Sequence, residues 1–180
     1  MCQTCGCSTG HRHHHHHDHA HGHDHAHDHG HPHTHHDHGT EERAIAINRS
    51  LLAQNDRLAE RNRGMFAAHG IVALNLVSSP GSGKTAILER TLAAGSGLRM
   101  AVIVGDLATE NDAKRLRRHG APALQIQTGT VCHLDAHMIH HALEELPLRE
   151  LDVVFIENVG NLVCPAAFDL GEDVRVVVTS

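Results

Sequence analysis

Apolar residues recur every seven positions in the segment 40–70. One such series is Ile45, Leu52, Ala59 and Phe66. Because an α-helix turns once in about 3.6 residues, residues seven apart lie on one face of it. The polar residues at the start of the segment are typical of a helix beginning. The pattern therefore predicts an amphipathic helix over residues 40–70.

Five short apolar runs rich in valine and isoleucine follow this helix. They cover residues 71–77, 100–105, 123–127, 152–156 and 174–178. Segments of helical periodicity separate them, an alternation typical of βαβ crossovers and a mostly parallel sheet. We therefore predict an α/β fold whose active site lies at the carboxyl ends of the strands. Because the chain stops directly after an apolar run, we expect a truncated domain over residues 71–180.

Residues 1–39 differ in composition from the rest of the chain. Of the 23 histidines, 17 lie between His11 and His38, where they alternate with Asp, Ala and Gly. Such a segment has too few apolar side chains to offset the entropy of ordering its backbone. We predict a disordered, metal-binding arm.

The charge of the chain says little about its partners, whereas its hydropathy favours the cytoplasm. The formal net charge of -6 omits partial protonation of the histidines. We therefore infer no preference for nucleic acid or membranes from the charge. No apolar run approaches the roughly 20 residues of a spanning helix, and the amino terminus lacks a signal-peptide layout. We expect a cytoplasmic protein without membrane insertion. In that reducing compartment an odd count of 5 cysteines favours metal ligation over disulfides.

A glycine-rich loop follows the first apolar run. Its sequence from residue 78 is Ser-Ser-Pro-Gly-Ser-Gly-Lys-Thr, and a helical segment comes next, which is the context of a P-loop. Lys84 would reach the β and γ phosphates, and the Thr85 hydroxyl would bind Mg²⁺. The residues whose backbone would close around the phosphates are Gly81, Ser82 and Gly83. A plain glycine-rich turn is the alternative, since Ser78 stands where the pattern has glycine.

A magnesium nucleotide site also needs carboxylates at the ends of neighbouring strands. Glu157 follows the fourth apolar run, in the position of a Walker B acid, and Gly160 follows as a switch glycine would. Asp106 ends the second run, and Asp112 opens the helix after it. Either aspartate could bind Mg²⁺ or orient water, or could simply cap a helix. We group Glu157 and Asp112 with Lys84 as candidate catalytic residues, and Asp106 with the cofactor-binding loop.

Three segments together resemble the HypB family of hydrogenase nickel-incorporation GTPases. They are residues 2–7 (Cys-Gln-Thr-Cys-Gly-Cys), 79–85 (Ser-Pro-Gly-Ser-Gly-Lys-Thr) and 157–165 (Glu-Asn-Val-Gly-Asn-Leu-Val-Cys-Pro). The resemblance implies a P-loop GTPase of the signal-recognition-particle-like class that hydrolyses GTP to GDP. It also implies a homodimer that works with a small nickel metallochaperone to load the [NiFe] hydrogenase large subunit. The family's guanine-selecting Asn-Lys-x-Asp motif does not occur in these residues, so GTP rests on the resemblance alone.

The amino-terminal cysteines form the first candidate metal site. Cys2, Cys5 and Cys7 place three thiols within six residues, and the terminal amine could supply a fourth donor. Thiolate and nitrogen ligands in a square plane suit Ni²⁺, and the resemblance implies a tight nickel site here. Zinc binding or redox-active thiols are the alternatives. We interpret the histidine tract as a nickel reservoir, with an expression tag as the alternative.

Cys132, His133 and Cys164 form the second candidate metal site. Cys132 and His133 begin the helical segment after a predicted strand, and Cys164 follows the fourth apolar run by a few residues. We therefore expect them at the same sheet edge as the nucleotide. A single cysteine is more often a small buried apolar side chain, but the resemblance implies a site for Ni²⁺, or Zn²⁺, at these three positions. The nearby histidines expected to be ordinary surface or core residues are His137, His140 and His141.

Two other functions stay open at this stage. In one, the arm stores or buffers nickel and the P-loop domain is only a scaffold. In the other, the chain is a urease-type nickel-delivery GTPase. The motif at residues 2–7 and the Ser79-Pro80 start of the loop argue against this second alternative.

Overall fold

The computed structural model of the chain describes residues 38–106 and 111–179. Its helices are α1 (His38–His69), α2 (Lys84–Ala93), α3 (Asn111–Arg117) and α4 (Ala136–Glu145). Its strands are β1 (Val72–Ser78), β2 (Met100–Asp106), β3 (Ala123–Gln127), β4 (Val153–Gly160) and β5 (Val174–Val178). Two short 3₁₀ turns, Leu148–Glu150 and Cys164–Ala167, lie on either side of β4. The predicted α/β class is confirmed.

The five strands form one parallel sheet in the order β3-β2-β4-β1-β5. β4 lies at the centre, between β1 and β2, and its Glu157 is level with Leu76 and Val104. The carboxyl ends of β1, β2 and β4 therefore meet at one edge. This edge carries every candidate site residue that the structure describes.

Both faces of the sheet are covered by helices, which explains why most residues of the central strands are apolar. On one face α1 and α4 bury Phe66 and Ile139 against Ile156. On the other, α2 and α3 bury Leu88 and Leu116. In the part of the chain that is described, no helix is long and apolar enough to cross a membrane.

Helix α1 packs on the sheet only through its second half. Ala59 and Phe66 of the predicted apolar series are 0% and 1% exposed, whereas Ile45 is 52% exposed. Asn62, wholly buried on the same face, donates to the carbonyls of Ala136 and Leu170 at 2.8 and 3.1 Å. These bonds fix the start of α4, and with it the preceding loop, against α1.

The fourth strand is longer than the sequence predicts. The apolar run of the sequence ends at Ile156, but β4 continues to Gly160 and holds Glu157 inside the strand. The physical reason is its central position, since pairing with β1 and β2 keeps even polar residues extended. Glu157 therefore has a backbone fixed on both sides.

Candidate functional site

The loop after β1 has the backbone of a phosphate-binding loop. Gly81 and Gly83 have φ angles of 74° and 92°, left-handed values that glycine adopts without strain. Helix α2 begins at Lys84, and its N-cap residue, Gly83, supplies no capping side chain. The first N–H groups of a helix have no partner within it, so this helix start suits a phosphate anion.

Lys84 lies inside this loop and contacts Ser78. It is 8% exposed, and its ammonium donates to Ser78 Oγ at 2.7 Å. Ser82 Oγ donates to the same oxygen. Burial lowers the pKa of Lys84, although the charges of Glu157 and Asp112 act against that shift. The serine that departs from the loop pattern thus holds the lysine in place, a role that the motif did not reveal.

Glu157 and Thr85 form the part of the site that fits Mg²⁺. Thr85 Oγ1 donates to Glu157 Oε1 at 2.6 Å, while Glu157 Oε2 is buried without a hydrogen-bond partner among the described residues. Burial raises the pKa of Glu157 to about 7, and the charge of Asp112 adds to the rise, whereas the bond from Thr85 opposes it. A buried carboxylate oxygen beside a hydroxyl is the oxygen donor set that Mg²⁺ prefers.

A cleft of about 440 Å³ joins these groups. The P-loop and the end of β4 form two of its walls, and Asp106, Asp112 and Arg115 also line it. Asp112 accepts from Arg115 at 3.3 Å, and Arg115 also pairs with Glu89. Both predicted aspartates therefore lie at the cleft. Arg115 was missed by the sequence analysis, although it lies one helical turn after Asp112 and brings positive charge to the phosphate side.

The second candidate metal site is assembled in the structure. The donor atoms of Cys132, His133 and Cys164 all lie within 4.8 Å of one another. Cys132 Sγ is 2.8 Å from Cys164 Sγ and 3.9 Å from His133 Nδ1. Cys132 and His133 lie in the loop before α4, not at a helix start, and Cys164 opens a 3₁₀ turn. Two thiols and one imidazole fit a borderline ion such as Ni²⁺ or Zn²⁺, with one position left for a further ligand.

The imidazole of this cluster is held by stacking. His133 is 7% exposed, and its ring lies 3.9 Å from that of Phe168 at an angle of 24°. Burial lowers the pKa of His133 despite the charge of Asp135, which favours the neutral, metal-binding ring. Phe168 was also missed, because nothing in the sequence relates it to a loop more than thirty residues earlier.

The cleft and the cluster are joined through Asn158. This buried residue follows Glu157, and its side-chain oxygen accepts from the N–H of Leu134 at 3.2 Å. Its amide donates to Asn75 Oδ1 at 3.3 Å. Leu134 also packs tightly on Gly105, where an added Cβ would lie 2.7 Å from it. The cluster loop is thus fixed to the ends of β2 and β4.

The first candidate metal site lies outside the described residues. It comprises Cys2, Cys5 and Cys7. The histidine tract up to residue 37, which we interpret as a separate nickel reservoir, also lies outside them. The structure therefore does not test either prediction. Every other predicted site residue lies at the cleft or in the Cys132 cluster.

Known proteins show similarity over the same region of the chain. The family model described as "CobW/HypB/UreG, nucleotide-binding domain" matches residues 72–178. Hydrogenase maturation factor HypB of Rhizobium leguminosarum bv. viciae is 54% identical over 142 residues, which are 78% of this chain and 48% of that protein. The probable hydrogenase maturation factor HypB of Methanocaldococcus jannaschii is 47% identical over 137 residues, 76% of this chain and 62% of that protein. The chain spans about half the length of the first of these relatives.

Solved structures of similar proteins share the fold. The crystal structure of HypB from Helicobacter pylori in complex with nickel has a TM-score of 0.66 and 44% identity, covering 69% of this chain and 59% of that one. HypB from Archaeoglobus fulgidus has a TM-score of 0.65 and 47% identity, covering 71% and 63%. The chain therefore belongs to the CobW/HypB/UreG nucleotide-binding family, and its predicted resemblance to the HypB hydrogenase maturation factors is confirmed.

Proposed function

We propose that this chain forms the nucleotide- and metal-binding part of a GTPase that hydrolyses GTP to GDP and assists nickel insertion into a [NiFe] hydrogenase large subunit. One observation carries the proposal: a phosphate cleft and a thiolate cluster meet at the end of the same strand, β4. Glu157 lines the cleft, and Asn158 bonds to the loop that carries Cys132 and His133. An arrangement of this kind can make metal affinity depend on the nucleotide.

The residues of the cleft have separate tasks in hydrolysis. Lys84 exchanges Ser78 for the phosphates and stabilises the charge that develops on the transferred phosphoryl group. Asp112, on the α3 side of the cleft, orients the attacking water. Bound Mg²⁺ would be held by Thr85, Asp106 and Glu157, and it would neutralise charge on the β and γ phosphates.

The cluster of Cys132, His133 and Cys164 holds one Ni²⁺ as cargo, with Zn²⁺ as the other ion that its donors suit. Cys164 follows the switch glycine, Gly160, by four residues. Loss of the γ-phosphate moves the segment after β4, and that movement displaces Cys164 from the other two ligands. A displaced ligand weakens the site, so hydrolysis times the release of nickel.

The wider assembly follows from the resemblance to HypB proteins. The active form is a homodimer that exchanges nickel with a small metallochaperone and passes it to the hydrogenase large subunit. The motif of Cys2, Cys5 and Cys7 adds a tight nickel site, and the histidine tract adds a reservoir of weaker sites.

Nickel titrations in two nucleotide states test the proposal. The full chain is titrated with Ni²⁺ against a competing chelator, with GDP and with a non-hydrolysable GTP analogue, as wild type and as Cys164→Ala. The wild type should show a roughly 5- to 150-fold change in affinity of one site between the two states, a typical allosteric coupling. Cys164→Ala should remove that site and leave the arm unchanged, because it alters no ligand there.

Equal affinities in both nucleotide states would contradict timed release and would favour the storage protein. Retention of the site in Cys164→Ala would show that this cysteine is structural. Since the arm is the same in both proteins, subtracting the two titrations isolates the cluster.

A further inference from the structure

Two histidines outside the Cys132 cluster come together on helix α4. His137 and His141 are one helical turn apart, and both are exposed. Their Nε2 atoms lie 3.2 Å from each other, and the rings meet edge to face with centroids 4.5 Å apart. The pair is on the surface, so an ion in solution can reach both nitrogens.

The separation of these two nitrogens is suited to a shared ion. Zinc–imidazole bonds are about 2.0 to 2.1 Å long. Two nitrogens bound to one ion are therefore about 2.9 Å apart at a right angle and about 3.3 Å apart at a tetrahedral angle. The observed 3.2 Å lies between these values. No change of backbone is needed to bring the rings together, because helix residues four apart are neighbours.

A carboxylate holds the His141 ring in the binding tautomer. His141 Nδ1 lies 3.2 Å from Glu144 Oε2, and an acceptor oxygen at that distance requires the proton on Nδ1. Nε2 then carries a lone pair directed toward His137. Metal-binding histidines commonly donate their other N–H to a carboxylate in this way, which orients the ring.

The neighbouring histidines contribute no nitrogen to this pair, although His140 Nε2 lies 4.0 Å from Glu144 Oε1 and the centroid of its ring lies 6.2 Å from that of His141. His140 directs Nδ1 to Asn62 at 3.1 Å, on the side of α4 that packs against α1. His133 is buried against Phe168 in the loop before the helix. The pair is therefore a separate set of ligands from the Cys132 cluster.

We propose that His137 and His141 bind one borderline divalent transition-metal ion, such as Ni²⁺ or Zn²⁺, at the surface of α4. Glu144 acts as a positioning residue through His141, and water fills the remaining coordination positions. With two imidazoles and no thiolate, this site binds such an ion more weakly than the Cys132 cluster.

Histidine-ring NMR of the full chain tests the site with Zn²⁺ as the probe. Long-range ¹H–¹⁵N spectra are recorded as Zn²⁺ is added beyond the amount that saturates the arm and the cysteines. The Nε2 signals of His137 and His141, identified from the spectra of the single variants His137→Gln and His141→Gln, should shift together in one event. His137→Gln should abolish the shift of His141. His119→Gln, which replaces an exposed histidine in the turn after α3, should leave that shift unchanged.

Glu144→Gln separates the positioning role from the ligands. It should raise the Zn²⁺ concentration at half-shift by about 10- to 100-fold, the usual effect of losing such a partner. An unaltered concentration would overturn that role. A His141 signal that stays fixed in excess Zn²⁺, or that still shifts in His137→Gln, would overturn the site itself and leave a simple N–H···N hydrogen bond. Far-UV circular dichroism shows whether each variant keeps its helix.

Discussion

The side-chain oxygen of Asn158 accepts a hydrogen bond from the backbone N–H of Leu134, and both residues are buried. Leu134 follows His133 directly, and Asn158 follows Glu157 directly. This one contact therefore joins the metal-binding loop to the strand of the nucleotide cleft. A displacement of either partner must move the other or break the bond.

Removing this acceptor should destabilise the protein and weaken the dependence of nickel affinity on the bound nucleotide. In Asn158→Ala the N–H of Leu134 is left buried without a partner, which costs about 1 to 3 kcal/mol in the free energy of unfolding. We also expect the difference in nickel affinity between GDP and a GTP analogue to shrink. Denaturant unfolding and nickel titration measure the two effects. Asn161→Ala, which removes a side-chain bond to Val163 within the same loop, is the control. If the nickel affinity of Asn158→Ala depends on the nucleotide as strongly as that of the wild type, the proposed coupling is wrong.

Lys84→Ala should reduce nucleotide hydrolysis. The ammonium is a buried cation within the phosphate loop, and loss of one such preorganised donor typically lowers kcat by about 10² to 10³. Phosphate release under saturating GTP measures the effect. Lys114→Ala removes an exposed lysine from α3 and should retain the wild-type rate. If Lys84→Ala hydrolyses GTP as fast as the wild type, this loop is not the catalytic site.

Gly105→Ala should damage the metal cluster from a distance. Its new methyl group would lie 2.7 to 2.8 Å from three atoms of Leu134, so Leu134 must move. Overpacking of this kind costs about 1 to 3 kcal/mol, and the shift carries the adjacent His133 with it. We expect a lower melting temperature and weaker nickel binding. At Gly64, within helix α1, an added methyl group meets no atom within 4 Å, so Gly64→Ala should instead stabilise the protein by about 0.5 to 1 kcal/mol. Equal changes in melting temperature and nickel binding in the two variants would refute the packing argument.

The ion pair between Asp152 and Arg99 should make stability depend on pH in the acid range. Asp152 accepts from the Arg99 side chain at 2.7 and 3.0 Å and from its backbone N–H at 2.8 Å, and these bonds lower the pKa of Asp152 to about 2. A depressed carboxyl pKa adds stability above the unfolded value of 3.8, and that stability is lost as the pH falls from about 4 to about 2.

Asp152→Asn should therefore be less stable than the wild type at pH 7, and the difference should disappear near pH 2. Unfolding midpoints at a series of pH values show this. Glu150→Gln, which replaces an exposed acid two residues earlier, is the control. Its difference in stability from the wild type should not shrink in this way as the pH falls. A constant difference between Asp152→Asn and the wild type at all pH values would mean that packing, not charge, is what Asp152 contributes.

Periodicity was enough to predict the elements of this fold, because the helices and strands carry their own patterns. The apolar series through Ala59 and Phe66 predicted α1, and the valine-rich runs predicted the strands. The extent of β4 was not predictable in this way. Its residues Glu157 and Asn158 are polar and suggest a loop, and only pairing with strands from other parts of the chain keeps them extended.

The candidate site was predictable where a local motif carries it and not where distant residues meet. The P-loop lies within eight consecutive residues, so Lys84 and Thr85 could be assigned from spacing. The bond from Asn62 to Leu170 joins residues 108 positions apart, and the stacking of Phe168 on His133 depends on a turn after β4. Such contacts follow from tertiary packing, on which residue spacing gives no information.

The order of strands in the sheet has a consequence for synthesis of the chain on the ribosome. Among the described strands, β1 has β4 and β5 as its neighbours, and 74 residues lie between Ser78 and Val153. At about 5 to 20 residues per second, translation takes about 4 to 15 s to cover that distance. Throughout this interval the nascent β1 lacks the strands it pairs with in the fold, so its apolar side chains stay exposed to solvent. The phosphate loop acquires a folded strand beside it only after β4 has been made.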